Sequence, residues 1–160
     1  KEIAEIGQDL KDFFLDAIDA DTNAFNKVMD CFGMPKKTDS QLKAKGLATA
    51  AATRLATSVP LSVLVKIPAL LELAKEVAEI GNVNSLSDAG VAGLTALAGA
   101  EGAYYNVLIN LESLKDMDQS EDSEFYAETL VAAKKAMALC EENAQLVKDF
   151  VRGKLEKAVE

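Results

Sequence analysis

The chain has 160 residues, 49% of them hydrophobic, and a net charge of −9 at pH 7. That length carries one domain with a sizeable core, and that hydrophobic share excludes a disordered chain. The acidic balance argues against nucleic acid and against an anionic membrane surface as general partners.

Aromatic residues make up only 6%, Trp is absent and Pro occurs three times, a balance that favours closely packed helices over a β-sandwich. The chain contains no His. That removes Ser–His and Cys–His nucleophile pairs, His-ligated zinc and imidazole proton transfer. Acid–base chemistry here must use carboxylates, lysines, tyrosines or water. Cys31 and Cys140 lie far apart, each in a helical pattern, and read as two thiols of a reducing, cytoplasmic compartment. No basic-apolar-small signal segment opens the chain. The apolar run between Asp88 and Glu101 is about 12 residues, short of the roughly 20 that a membrane span needs.

Four long helices are expected in chain order. The first runs from about Glu2 to Phe32 and stops at Gly33, with Pro35 just beyond. Its apolar positions are Ile3, Ile6, Leu10, Phe13, Ala17, Ala24, Val28 and Phe32, a 3.6-residue period. Between Ala17 and Ala24 the series needs one more member, and Asp21 stands there. Asp21 falls within roughly 20° of the line through Leu10 and Val28. It reads either as a carboxylate paired with a lysine at the stripe's edge or as a desolvated group. Desolvation raises a carboxyl pKa toward the range useful for proton transfer.

The second helix opens at "TDSQ", with Thr38, Asp39 and Ser40 as possible caps, and ends at Gly81. Pro60 and Pro68 predict a kink or break near "SVP". A basic island precedes its middle: Lys36, Lys37, Lys43, Lys45 and Arg54 against Asp39 alone. It reads as a solvated helix start or as an attractor for an anionic ligand tail.

The third helix opens at Ser85 or Ser87 and runs to about Leu114. Asn82, Asn84, Ser85, Ser87 and Asp88 crowd its start, more polar groups than a cap needs. Gly90, Gly93, Gly99 and Gly102 lie in its interior, each costing roughly 1 kcal/mol relative to Ala. They allow close approach, of another helix or of a flat ligand. Asn106 and Asn110, four residues apart, share one helical face in an apolar stretch and read as interhelical glue or as ligand contacts. Asp88 is on nearly the same line as Asn106, about 27 Å away along the axis. One compact ligand cannot touch both on a single chain; an elongated ligand, or two subunits sharing sites, can. The fourth helix opens near "QSEDSE" and carries Phe125, Leu130, Ala133, Met137, Cys140, Ala144, Val147 and Val151 on one face. No β alternation, fixed-period repeat, phosphate loop, dinucleotide fingerprint or carboxylate–His metal motif is present. The expected fold is all-α, a bundle of long antiparallel helices in a single domain over residues 1–160.

"DADTNAFNKVMDCFGMPK", "VPL", "GNVNSLSDAGV" and "EGAYYNVLINL", in this order, resemble the cyclodeaminase domain of formiminotransferase-cyclodeaminase. The family also includes stand-alone methenyltetrahydrofolate cyclohydrolases of the serine cycle type. The likeness runs from about Asp19 to about Leu111, and "DAGV" and "GAYYNVLIN" look nearer the cyclodeaminase branch. The resemblance implies an all-helical dimer with a folate site near the subunit interface and a lyase of histidine degradation. It implies closure of 5-formiminotetrahydrofolate to 5,10-methenyltetrahydrofolate with loss of ammonia. No metal and no cofactor beyond the folate substrate is expected. Asp21 is the expected proton-transfer group. Asn106 and Asn110 are expected to hold the reacting end of the folate, and Asn82, Asn84, Ser87 and Asp88 to bind it or shape its pocket. Lys36 is expected to attract its glutamate tail. Cyclohydrolase and a non-catalytic helical interaction module are the alternative readings. Family members usually begin with a further helix and a Pro-Gly-Gly-Gly segment; this chain opens at Lys1, already in a helical pattern, as the tail of a longer polypeptide would.

Overall fold

The computed structural model describes residues 2–115 and 120–160. It is an all-α bundle of four long helices: α1 (Glu2–Phe32), α2 (Asp39–Ile80), α3 (Leu86–Lys115) and α4 (Ser120–Lys157). A single 3₁₀ turn, Val83–Ser85, leads into α3. The connections from α1 to α2 and from α2 to α3 are short, as expected for neighbouring antiparallel helices. Gln119, the first residue of the expected α4 start, lies outside the described residues.

The helix ends follow capping chemistry. Glu2 and Glu5 place negative charge in the first turn of α1, where the helix dipole favours it. At the other end Lys45 Nζ donates to the Phe32 carbonyl at 3.0 Å and sits over the Phe32 ring. One member of the basic island is therefore engaged in closing α1. Of the three possible caps of α2, Thr38 is the one used: its hydroxyl accepts from the Gln41 N–H at 3.3 Å, and Gln41 Oε1 accepts from the Lys37 N–H at 2.9 Å. Gly81 ends α2, and a Cβ there would collide with the Val77 carbonyl. Asn82 Oδ1 accepts from the Asn84 N–H at 3.0 Å and so starts the 3₁₀ turn.

α2 is the central element and packs against α1, α3 and α4. It is long and apolar enough to cross a membrane by length and composition alone. In this bundle its apolar residues supply the core: Leu64, Ile67 and Leu71 meet Val107, Leu111 and Leu114 of α3 and Ala133, Met137 and Cys140 of α4. A smaller cluster joins Ala74 and Leu86 to Val147 and Val151.

The expected break in α2 does not occur; the helix runs unbroken through Pro60 and Pro68, both buried. The reason lies in side chains from neighbouring helices. A proline deprives the carbonyl four residues earlier of its N–H partner. For Pro60 that carbonyl belongs to Ala56, and Asn110 Nδ2 of α3 donates to it at 2.9 Å. For Pro68 it belongs to Leu64, and Cys140 Sγ of α4 lies 3.9 Å from it, a weak thiol contact. Tertiary donors thus replace the missing backbone donors.

Candidate functional site

The glycines of α3 serve two purposes. Gly90 and Gly93 face α4: a Cβ added to Gly90 would lie 3.0 Å from Val151 Cγ1, and one added to Gly93 would lie 2.8 Å from Val147 Cγ1. Gly99 and Gly102 have nothing within 4 Å of a Cβ position. They face a groove bounded by α1 and α3 and floored by α2.

The groove has two halves, which share Phe14, Val63 and Gly99 in their walls. One half, about 580 Å³, extends toward the start of α3, with apolar walls interrupted by Asp88 and Thr95. The other, about 370 Å³, contains Asp21, Thr22 and Asn106 among Phe14, Ile18, Pro60 and Gly102. Largely apolar walls with a few converging polar groups, in this volume range, are the usual form of a small-molecule site.

Asp21 therefore shares a cavity with Asn106, although 85 positions separate them in the chain. Its burial departs from expectation. Asp21 is exposed, and among the described residues it forms no ion pair. The helical stripe does continue above and below it, through buried Leu10 and Ala24. At the level of Asp21, however, α1 lies over the groove, and the facing turns of α3 end in Gly99 and Gly102 with no side chains to cover it. The carboxylate keeps its water, which explains how a charge is tolerated in an apolar series.

Asp88 and Asn106 both line the groove, one in each half. An elongated molecule can reach both within one subunit. Asn110 sits outside the two cavities, half-buried, with its amide committed to Ala56. Asn82, Asn84, Ser87 and Lys36 are exposed and line neither half. Among the described residues no group of three His, Cys, Asp or Glu side chains is placed to hold a metal ion.

Thr22, Thr95 and Phe14 are groove residues that sequence reasoning missed. Thr22 follows Asp21 directly, and Thr95 is one and two turns from Gly99 and Asp88, so the helical period could have found both. The apolar series of the first helix names Phe13, whereas Phe14, which meets it edge-on at 5.3 Å, is the ring that lines the groove. Only the placement of α1 decides which ring enters the groove. The two thiols are buried and free. Burial pushes the Cys140 thiol up to about 11, so it stays protonated at neutral pH. Tyr105, on an exposed face of α3, is held above its usual range by its hydrogen bond to Glu101.

Residues 1–129 match the family model described as formiminotransferase-cyclodeaminase. The chain is 37% identical over 151 residues to a methenyltetrahydrofolate cyclohydrolase of Methylorubrum extorquens, covering 94% of this chain and 72% of that protein. It is 35% identical over 99 residues to the formimidoyltransferase-cyclodeaminase of Mus musculus, covering 62% of this chain but 18% of that protein. The fold matches that of a formiminotetrahydrofolate cyclodeaminase from Thermotoga maritima with a TM-score of 0.74 and 26% identity, over 92% of this chain and 67% of that one. With four helices in the expected order, and a matching family model over most of its length, the chain belongs to the formiminotransferase-cyclodeaminase family of folate one-carbon enzymes.

Proposed function

We propose that this chain closes 5-formiminotetrahydrofolate to 5,10-methenyltetrahydrofolate with release of ammonia, in the groove between α1 and α3. The observation that carries the reading is the meeting of one free carboxylate, Asp21, and one amide, Asn106, in a cavity of about 370 Å³ whose other walls, Thr22 apart, are apolar.

The reaction needs a proton moved, and little else. N10 of the folate attacks the formimino carbon on N5, and a new C–N10 bond forms. The formimino group enters protonated, as –CH=NH2+; the N10 proton must leave, and the former formimino nitrogen, now an amine, must gain one proton before it departs as ammonia, which leaves the positive charge on the methenyl product. A carboxylate beside the reacting carbon takes the first proton and returns it to the leaving nitrogen, so the two transfers balance. Asp21 is assigned that role. Asn106 orients the reacting end, since an amide can donate and accept at once. The apolar half of the groove takes the rest of the elongated ligand toward Asp88. Lys36, on the α1–α2 connection, lies at the other end of the groove from Asp88 and is given no contact with that part of the ligand.

A second reading has its own support. The Methylorubrum extorquens relative, matched over nearly the whole chain, carries the name cyclohydrolase. The same carboxylate would then take a proton from water as it adds to the methenyl carbon and give it to the ring nitrogen whose C–N bond breaks, while the new hydroxyl loses its proton to solvent and becomes the formyl carbonyl. Both reactions act on the one-carbon unit at N5 and N10, and they differ in the nucleophile.

The functional unit is proposed to be a homodimer. Ile18, Phe25 and Phe32 are 62%, 59% and 68% exposed along one side of α1, next to Asp21. A second subunit on that face would cover them and close the groove mouth. The test is turnover of both substrates by the wild-type chain and Asp21→Asn. Formation of methenyl product with matching ammonia supports the cyclodeaminase; hydrolysis of methenyltetrahydrofolate alone supports the second reading. Undiminished turnover by a folded Asp21→Asn removes the assigned proton transfer. No folate-dependent thermal stabilisation would leave a helical interaction module.

A further inference from the structure

Gly99 and Gly102 carry the cost of helix-interior glycine, and among the described residues nothing packs against them. Gly90 and Gly93 are explained by Val151 and Val147, whereas an added Cβ at Gly99 or Gly102 would meet only open space. An alanine at either place would fit the fold and strengthen the helix. Both glycines line the half-groove that contains Asp21 and Asn106.

We infer that Gly99 and Gly102 are specificity-determining residues of this site: they leave a bare turn of α3 on which the fused-ring end of the folate lies face-on, within reach of Asp21. The inference rests on the folate reading given above. Two features support it. A glycine pair exposes the helix backbone itself, so a ring can approach closer than any side chain would permit. The polar groups of this half-groove, Asp21, Thr22 and Asn106, are on the same cavity as the glycines, so a ring on the bare turn is also beside the proton-transfer group.

Direction matters too. A long side chain in a helix leans toward the N-terminus, over the preceding turn. A leucine at position 102 would therefore lie across Gly99 and cover both glycines at once. Gly46, in α2, supplies the matched control: it too has nothing within 4 Å of a Cβ position, and it lies outside the groove.

The experiment is titration of the full chain with 5-formyltetrahydrofolate, a stable folate probe. Wild type, Gly102→Leu, Gly102→Ala and Gly46→Leu are compared, with a thermal melt and a sedimentation run for each. The expected result is at least a tenfold loss of affinity in Gly102→Leu, no change in Gly46→Leu, and an unchanged oligomeric state in both. Gly102→Ala is expected to melt above wild type yet bind more weakly, which keeps the test valid if the leucine variant does not fold. Wild-type affinity in Gly102→Ala and Gly102→Leu overturns the inference and leaves the folate reading standing. A change of oligomeric state without a change of affinity also overturns it, since the glycines would then serve a subunit contact. No binding by wild type overturns both.

Discussion

Asn110 lies in one of the four stretches that resemble the family, yet its amide supports the scaffold of the groove. Its Nδ2 donates at 2.9 Å to Ala56 O, the carbonyl that Pro60 leaves without a backbone partner. Asn110→Ala removes the donor and leaves a half-buried carbonyl unsatisfied, at a cost of about 1–2 kcal/mol. In a domain of this size that lowers the melting temperature by roughly 2–8 °C. Pro60→Ala restores an N–H at position 60, and the Ala56 carbonyl regains its intrahelical bond. In that background Asn110→Ala should cost only the side chain's own lost contacts, about 0.5 kcal/mol. A double-mutant cycle should therefore show a coupling of about 1 kcal/mol between two residues 50 positions apart. Urea denaturation followed by circular dichroism, at one fixed protein concentration, measures all four species. Equal cost of Asn110→Ala in both backgrounds would refute the reasoning, because the carbonyl's need for a donor would then not depend on the proline.

Further outcomes follow from the same structure. Gly93→Ala places a Cβ 2.8 Å from Val147 Cγ1, and Val147 is stiff and fully buried, so overpacking of about 1–3 kcal/mol should exceed the helix-propensity gain and lower the melting temperature. Gly46→Ala, with open space around it, should raise the melting temperature. Cys140 gives a pH signature: its thiol is pushed up from about 9 to about 11 by burial, so the folded state holds the proton that the unfolded state loses. Stability must then fall as pH rises through that window, by up to roughly 2 kcal/mol, and Cys140→Ala should flatten the decline in melts taken across it. At neutral pH the same thiol should react with a thiol reagent only at the rate of unfolding.

The four helices could be read from the sequence because their signals are local. Gly33 and Gly81 stop α1 and α2 where expected, and the 3.6-residue series of α4, from Ala133 to Val151, is buried as expected. The continuity of α2 could not be read that way. Whether a proline breaks a helix depends on donors brought from elsewhere, here Asn110 and Cys140, and those are tertiary facts. The candidate site divides along the same line. The odd place of Asp21 in its stripe was visible, but its solvation was not, since that depends on two glycines of another helix about 80 residues later. The four glycines of α3 look alike in sequence and differ only in what stands opposite: Val151 and Val147 for one pair, open groove for the other. Asn106 and Asn110 share a face, yet the turn between them separates the groove from the α2 contact.

The central claim is that the Asp21 half-groove moves a proton during ring closure on folate. Single-turnover mixing of the chain with 5-formiminotetrahydrofolate, following methenyl absorbance and free ammonia together, tests it most directly. The account predicts that both rise in step above the uncatalysed rate, and that Asp21→Asn folds normally and loses at least a hundredfold in that rate. An undiminished rate in folded Asp21→Asn, or no rate above background in wild type, would contradict it.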